Sequence, residues 1–229
     1  MVSNKVLVIA PHADDEVLGC GASIAGHVYQ GDDVKVVIVT NAHKGDANLF
    51  SKDSIDIVRN EALMAHSILG VQDTIFLDFP APRLDSYPNY KISLELSKII
   101  KDFNPSILYL PHPGDLHLDH KSTYRASLVA ARPQNCCSIS EIYCYETLSE
   151  TDWSPMQGDE FFKPNYFSDI TIFFDKKIQA MECFSSQLKD FPHPRSLKNI
   201  EYLAGYRGAT VGVKRAEAFE VERIINSFK

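Results

Sequence analysis

Short runs of apolar residues alternate along the chain with longer segments in which apolar residues recur at helical spacing. Runs without polar alternation are typical of strands that are buried on both faces of a parallel sheet. Such runs predict five strands, at residues 6–10, 34–40, 74–79, 107–110 and 141–146. One further β-rich stretch covers residues 167–174.

The remaining periodic segments predict helices at residues 17–29, 55–69, 92–103, 121–132, 176–188, 197–206 and 216–228. Gly70 is placed to end the second of these as its C-terminal cap. Residues 41–53, 80–89 and 151–164 are polar or rich in proline and are predicted loops. Alternating strands and helices imply right-handed crossovers. We therefore predict an α/β fold with a Rossmann-like, doubly wound, mostly parallel sheet and helices on both faces.

Two charged turns follow the first and fourth predicted strands. The first reads Pro11-His12-Ala13-Asp14-Asp15-Glu16, and the second ends in His117-Leu118-Asp119-His120. In the common strand order 3-2-1-4-5, these two strands are neighbours, and ligands bind beyond their C-terminal ends. We expect both turns to face one crevice.

Composition and charge narrow the class of protein. The chain has 229 residues, 45% hydrophobic and 23% charged, which suits one globular domain over residues 1–229. A net charge of −7 without a dense Lys/Arg run argues against nucleic acid as a partner. No run approaches the roughly 18 apolar residues of a membrane span, and the N-terminal run is too short for a signal peptide, so a cytoplasmic location is expected. A homo-oligomer is compatible with the sequence, which does not determine the oligomeric state.

The cysteines carry no recognisable pattern. They are Cys20, Cys136, Cys137, Cys144 and Cys183. Their irregular spacing favours reduced, structural thiols over a disulfide framework or a zinc–thiolate site.

The residue types in the two turns are those of a catalytic metal site. His12 and Asp15 are three residues apart, as are His117 and His120, and residues at this spacing share one face of a helix. Adjacent carboxylates differ by about 100° around a helix, so one of Asp14 and Asp15 can bind a metal while the other faces water. Mixed histidine and carboxylate ligands with an open position suit zinc and also ferrous iron. A neighbouring carboxylate would act as general base.

A structural alternative exists for the first turn alone. Acidic residues at a helix N-terminus are favoured by the helix dipole without any ligand. The adjacent His12 and the second turn, where Asp115 and Asp119 can orient the imidazoles, favour the metal site.

At these residues the chain resembles a known family. Residues 11–16 resemble the Pro-His-Pro-Asp-Asp-Glu signature of the LmbE-like / PIG-L zinc-dependent de-N-acetylases. Residues 117–120 resemble that family's His-x-Asp-His motif, and residues 61–70 and 206–219 are similar to its later segments. The resemblance covers nearly the whole chain. Ala13 replaces the second proline of the signature and removes no reactive group.

The resemblance implies a role for each reactive side chain. The implied zinc ligands are His12, Asp15 and His120. Asp14 would be the general base that activates water. His117 would protonate the leaving amine or stabilise the oxyanion, and Asp119 would hold it in the required protonation state. The family's activity is hydrolysis of an N-acetyl group, usually on an N-acetylglucosamine unit, to give acetate and a free amine.

Several other polar residues are candidates for substrate contacts. They are Arg59, His43, His112, His193 and Arg207. Each also has a structural alternative, such as a solvated loop, a strand end or, for Arg207, a salt bridge. Arg59 lies two residues before Glu61, where the family spacing is three.

These observations predict a metal-dependent hydrolase whose partner is a small molecule, an N-acetylglucosamine-like amino-sugar conjugate. Zinc is the implied ion, and ferrous iron is the alternative. The same site would also suit another N-acyl substrate, such as a nucleotide sugar, a chitooligosaccharide or an antibiotic intermediate. A non-catalytic sugar-binding homologue is the third alternative.

Overall fold

A computed structural model describes residues 3–134, 138–154, 158 and 160–226 of the chain. Within these residues, seven strands form one sheet in the order β3-β2-β1-β4-β5-β7-β6. The strands are β1 (Lys5–Ala10), β2 (Asp33–Asn41), β3 (Asp73–Pro80), β4 (Ile107–Pro111), β5 (Glu141–Tyr145), β6 (Tyr166–Asp169) and β7 (Ala216–Ile224). The first five are parallel in the predicted order, and β7 pairs antiparallel with both β5 and β6.

Helices cover both faces of this sheet. They are α1 (Asp15–Tyr29), α2 (Ala42–Gly45), α3 (Lys52–Leu69), α4 (Asn89–Phe103), α5 (Leu118–Ala130), α6 (Phe174–Glu182) and α7 (Leu197–Val211). Alternate residues of β1 enter different apolar clusters: Val6 and Val8 pack with α1, α3 and α6, whereas Leu7 and Ile9 pack with α4 and α5. A strand that is apolar at every position is thus buried on both faces, which confirms the doubly wound fold.

The last predicted helix, residues 216–228, is wrong. Residues Ala216–Ile224 form strand β7, which lies between β5 and β6, and residues 227 and 228 lie outside the described residues. The segment carries apolar residues that fit a helical repeat as well as a strand. Pairing with a strand on each side decides the conformation, because it satisfies backbone groups along both edges of the segment.

Other element boundaries differ by smaller amounts. The helix predicted at 176–188 ends at Glu182, and the predicted loop 41–53 contains the short helix Ala42–Gly45. The β-rich stretch 167–174 divides into strand Tyr166–Asp169 and the start of α6. The predicted C-terminal cap at Gly70 is confirmed by its left-handed φ of 84°.

Helix α1 contains a break near its N-terminal end. Cys20 departs from helical geometry, with φ −141° and ψ 22°. Next to it, Gly19 lies against Tyr145, and a Cβ there would come within 2.2 Å of that ring. Glycine at this position therefore permits the close approach of the helix to β5. Cys20 and Cys144 are buried free thiols and Cys183 is a partly buried one, whereas Cys136 and Cys137 lie outside the described residues.

Candidate metal centre and active site

The two charged turns meet because β1 and β4 are adjacent parallel strands. The first turn ends in an unusual backbone conformation at Asp14, whose φ is 114°. Its carbonyl oxygen accepts hydrogen bonds from the backbone N–H groups of Val17 and Leu18, and its own N–H donates to Glu16 Oε2 at 3.2 Å. A residue other than glycine in this region costs about 1–3 kcal/mol, and surrounding contacts must hold it there. The turn thus presents a buried Asp14 carboxylate beside Asp15.

Three side chains from the two turns converge on one point. The Oδ2 atom of Asp15 lies 3.2 Å from His12 Nδ1 and 3.2 Å from His120 Nε2. Asp15 Oδ1 and His120 Nε2 are both buried, and neither has a hydrogen-bond partner among the described residues. Buried polar atoms normally have partners, so these two atoms indicate a missing ligand. Two imidazole nitrogens and one carboxylate with space beside them fit the ligand set of a catalytic zinc or ferrous ion.

Hydrogen bonds on the far side of each imidazole set its orientation. His120 Nδ1 lies 2.7 Å from Asp115 Oδ2, and Thr151 donates to the other oxygen of that carboxylate. His12 Nε2 lies 3.2 Å from Asp119 Oδ2. Carboxylates in this position fix the tautomer of a ligating histidine and increase its basicity. The predicted orienting contact of Asp115 with an imidazole is therefore present.

A second group of donors, His12, His117 and Asp119, overlaps the first. In this group, Asp119 Oδ1 already accepts the N–H of Leu84 and His117 Nδ1 accepts the N–H of Asp119. The group with His12, Asp15 and His120 is the better candidate because it retains two unpartnered buried atoms.

The electrostatics of this group favour positive charge. Burial alone would lower the pKa of His12, but its contacts with Asp119 and Asp15 raise the pKa to about 9. The pKa of His120 is likewise raised above its usual range, against burial, by Asp15 and Asp115. Burial opposes ionisation of Asp15, yet the two histidines hold its pKa well below the ordinary value. A metal cation bound here would displace these protons and supply the positive charge in their place, because a histidine ligates a metal only in its neutral form.

The pKa shifts of Asp14 and His117 favour the neutral form of each side chain. Burial raises the pKa of Asp14 to about 7, although the Arg195 guanidinium, 3.0 Å from Asp14 Oδ2, counteracts this shift. Burial and the neighbouring His12 lower the pKa of His117 to about 4. Because His117 Nδ1 accepts the N–H of Asp119, its neutral ring carries the proton on Nε2. His117 is therefore a neutral hydrogen-bond donor near neutral pH.

The contact predicted between Asp119 and His117 is weaker than expected. Asp119 Oδ2 lies 4.0 Å from His117 Nδ1 but only 3.2 Å from His12 Nε2. The side chain of Asp119 thus orients His12, while its backbone N–H holds the ring of His117.

A cavity of about 380 Å³ opens beside these groups. His12, Asp14, His117, Glu150 and Arg195 line one part of it, and a mixed polar and apolar wall from β2, β3 and α3 lines the rest. This size and composition lie in the range of small-molecule sites.

The five predicted substrate contacts separate into two groups. Arg59 lines the cavity, and its Nη2 lies 2.6 Å from Asp78 Oδ1. The other four do not line it. His43 Nδ1 instead bonds the carbonyl oxygen of Phe50, 2.8 Å away. Arg207 forms a bidentate salt bridge with Glu146, at 2.8 and 2.6 Å, which is its structural alternative.

His112 and His193 also bond to loops outside the cavity. His112 is buried, with Nε2 2.9 Å from the carbonyl oxygen of Glu160 and Nδ1 3.4 Å from Glu220. His193 Nδ1 accepts the N–H of Arg195. Each of these two histidines holds a backbone segment, since a main-chain group bonds one of its ring nitrogens.

Arg195 was not among the residues predicted for the site. It donates a hydrogen bond to Asp14, which lies 181 positions earlier in the sequence. Its Nε also donates to Ser149, and Nη2 lies 3.7 Å from Glu150. The only signal was its place after the Pro192-His193-Pro194 break, in a segment too irregular to fold as a helix. Nothing in that spacing indicates which distant carboxylate the guanidinium meets.

Comparisons with known proteins agree with this geometry. Residues 7–131 match the family described as PIG-L, GlcNAc-PI de-N-acetylase. The chain is 34% identical over 168 residues to an uncharacterised deacetylase, YaiS, of Escherichia coli K12, with 71% of this chain and 84% of that protein covered. It is 29% identical over 203 residues to 4-oxalmesaconate hydratase of Pseudomonas putida KT2440, covering 80% of this chain and 74% of the hydratase.

A solved structure has a similar fold. The N,N′-diacetylchitobiose deacetylase of Pyrococcus horikoshii superposes with a TM-score of 0.78 at 25% identity, covering 96% of this chain and 84% of that chain. No helix among the described residues has the length and hydropathy of a membrane span. Two sequence motifs, the strand order and these similarities lead to one conclusion, that the chain belongs to the PIG-L family.

Proposed function

We propose that this protein is a metal-dependent N-deacetylase that hydrolyses the acetamido group of an amino sugar. The observation that carries the proposal is the convergence of His12, Asp15 and His120, with two buried ligand atoms unpartnered, beside the cavity that Asp14 and His117 line. The names of the family and of two of the relatives above describe deacetylases. The family name and the name of the Pyrococcus horikoshii enzyme include an N-acetylated sugar, which supports an N-acetylated sugar as the substrate class here.

The proposed cation is zinc, with ferrous iron as the alternative, held by His12, Asp15 and His120. Bound there, it would lower the pKa of a water molecule and polarise the amide carbonyl. The protein's own groups would then act on either side of the amide.

Asp14 is the proposed general base. Its carboxylate takes a proton from the attacking water as the new C–O bond forms, and a pKa of about 7 suits this transfer near neutral pH. The same carboxyl then delivers the proton to the amine nitrogen as the C–N bond breaks. Water and amide thus give acetate and a free amine, and Asp14 returns to its initial ionisation state.

His117 is the proposed oxyanion donor. A neutral ring with its proton on Nε2 donates a hydrogen bond to the carbonyl oxygen as negative charge develops there. Of the two roles that the family resemblance implies for this residue, the lowered pKa supports this one over protonation of the leaving amine.

Replacement of Asp14 tests the proposal. We expect Asp14→Asn to keep its metal content and lose about 10²–10⁴-fold in kcat for release of a primary amine, because a general base contributes this much. Amine release from N-acetylated sugars and metal content are measured on the same preparation. Asp102→Asn, the same change at an exposed carboxylate on α4 that does not line the cavity, is the matched control. Full activity of metal-loaded Asp14→Asn would contradict the assignment.

The relative named as a hydratase defines the second candidate function. Its similarity over 80% of this chain means that family membership leaves the reaction open between hydrolysis of an amide and addition of water to a carbon–carbon double bond. The two reactions give different products, so an assay for free amine and an assay for loss of a conjugated alkene separate them. Absence of both activities from the metal-loaded protein would favour a non-catalytic sugar-binding role.

A further inference from the structure

The cavity extends well beyond the groups that would act on the amide. Its floor lies at the ends of β1 and β4, but its far wall comes from β2, β3, α3 and the loop before α3. Apolar side chains dominate that wall: Ile38, Phe50, Ile55, Val58 and Phe76. Phe50 is still 36% exposed, so part of this surface faces solvent. An apolar ligand group would cover it and gain the free energy of leaving water.

An acetyl group is too short to reach the part of this wall that β3 provides. In the sheet order β3-β2-β1, strand β3 is two positions from β1, and strand spacing puts the two strand ends roughly 10 Å apart. The acetyl methyl group lies only about 1.5 Å from the carbonyl carbon. Whatever contacts the apolar wall therefore belongs to another part of the substrate.

Fixed polar groups accompany the apolar wall. Arg59 Nη2 and Asn41 Nδ2 both donate to Asp78 Oδ1, at 2.6 and 2.7 Å, and the Arg59 guanidinium lies 4.9 Å from the centre of the Phe76 ring. A long acyl chain would cover the free N–H groups of Arg59 without forming hydrogen bonds, which costs free energy. A sugar ring offers hydroxyl groups to them, and an apolar substituent on that sugar offers carbon to the wall.

We propose that the substrate carries an apolar or aromatic aglycone on the amine side of the amide, and that Ile55, Val58, Phe50 and Phe76 bind it. This specificity subsite rests on the proposed deacetylase function. It excludes a plain N-acetylated sugar as the best substrate. It also places the apolar group on the part of the substrate that leaves as the amine, and not on the acyl group.

Two substrate series test the subsite with the metal-loaded protein. The first keeps the N-acetyl group and changes the β-glycoside of N-acetylglucosamine from methyl to phenyl, and the second keeps the methyl glycoside and lengthens the acyl group from acetyl to hexanoyl. Burial of a ring on an apolar wall predicts a kcat/KM about tenfold or more higher for the phenyl glycoside, and no gain along the acyl series. Equal values for both glycosides, or a gain along the acyl series, would overturn the proposal.

Variants of helix α3 identify the surface that is responsible. We expect Val58→Ser to remove most of the preference for phenyl through a higher KM. Ile57→Ser is the matched control, because Ile57 is 54% exposed on the same helix and does not line the cavity. Loss of the preference in both variants, or in neither, would contradict the assignment of the wall.

A binding measurement separates this proposal from the proposed function. Calorimetric titration of metal-loaded Asp14→Asn with the methyl and phenyl glycosides reports affinity without turnover. Tighter binding of the phenyl glycoside, with no amine released by the wild type, would contradict the deacetylase function and support the subsite. Equal affinities together with amine release would support the function and overturn the subsite.

Discussion

At the scale of single residues, the site depends on a backbone conformation that its own third carboxylate supports. Glu16 Oε2 accepts the N–H of Asp14, and Glu16 Oε1 lies 2.9 Å from His66 Nε2. His66 Nδ1 in turn lies 2.8 Å from the hydroxyl of Thr74. Glu16 is completely buried, so this chain of hydrogen bonds connects the first turn to α3 and β3. Glu16 is thus a positioning residue for Asp14.

Glu16→Gln is expected to lower kcat about tenfold while metal content is retained. An amide in place of the carboxylate can keep both contacts only if its NH2 group donates to His66, and neutral hydrogen bonds then replace charge-assisted ones, at a cost of about 1–2 kcal/mol. Steady-state kinetics and metal analysis measure the two effects. Glu201→Gln is the control, since the Glu201–Arg215 pair is exposed. Unchanged kcat in Glu16→Gln would show that Asp14 keeps its conformation without this contact.

At the scale of elements, a buried ion pair bridges the break in α1. Glu217 on β7 accepts the N–H groups of Ala22 and Ser23, at 3.0 and 2.7 Å. Lys177 on α6 donates to Glu217 and to the carbonyl oxygen of Leu18, at 2.6 and 2.7 Å. The break at Cys20 leaves helix groups unpaired, and these side chains replace the missing helical partners. The pair thereby fixes the helix that carries Asp15.

Lys177→Met is expected to lower the free energy of unfolding by about 3–5 kcal/mol, because it leaves the Glu217 charge buried without its partner. Urea unfolding measures the change. The exposed neighbour, in the variant Lys176→Met, is expected to change stability by less than about 0.5 kcal/mol. The double variant Lys177→Met/Glu217→Gln should lose less free energy of unfolding than the sum of the losses in the two single variants. Additive losses would argue against a coupled pair.

His112 connects β4 to the segment before β6 and makes the stability of that connection dependent on pH. Burial would lower the pKa of His112, but Glu220 and the Glu160 carbonyl raise it above its usual value of 6.5. Its stabilising contribution is therefore complete below that value and is lost as pH rises through the folded-state pKa. Against burial, the pKa of Glu220 is held below 4.5 chiefly by its contact with His112, so its share of the stability is lost as pH falls through the lowered value.

The free energy of unfolding should therefore differ most between wild type and His112→Gln at about pH 6, and less at about pH 9. Chemical denaturation of both proteins at the two pH values measures this difference. His43→Gln, which affects an exposed loop contact, is the control. An equal difference at both pH values would show that the ion pair contributes nothing beyond packing.

At the scale of the whole molecule, the candidate metal centre joins the N-terminal part of the sheet to the second half of the chain. A cation held by His12, Asp15 and His120 connects the turn after β1 to α5. A ligand that binds only the folded state stabilises it in proportion to the logarithm of its concentration. The metal would thus stabilise the fold as well as supply the chemistry.

Addition of zinc at 100 times its Kd to the metal-free protein is expected to raise the free energy of unfolding by about 2.7 kcal/mol. Thermal unfolding with and without the ion measures this. His120→Ala should abolish the increase, whereas His43→Ala should retain it because His43 is not a member of the donor group. A full increase in His120→Ala would place the zinc site elsewhere.

Much of the fold follows from local pattern. The β1 segment is apolar at every position, so it has no face to expose and is buried in a parallel sheet. The meeting of the two turns follows from the strand order, and with it the expected proximity of His12 and His120. The helix predicted for Ala216–Ile224 is wrong because the apolar residues of this segment fit a helical repeat as well as a strand. Pairing with β5 and β6 decides that it forms a strand.

The sequence by itself determined the residue types at 12, 14, 15, 117 and 120, their spacing and the strands that precede them, and from these the metal-dependent chemistry is proposed. The tertiary structure alone decided which atoms face each other. Arg195 meets Asp14, Asp119 orients His12 more closely than His117, and His112 bonds a backbone carbonyl away from the cavity. The physical reason is the distance along the sequence over which each kind of interaction acts. Hydrophobic periodicity and turn chemistry act over a few residues, whereas these partnerships join positions far apart in sequence and depend on the orientation of packed side chains.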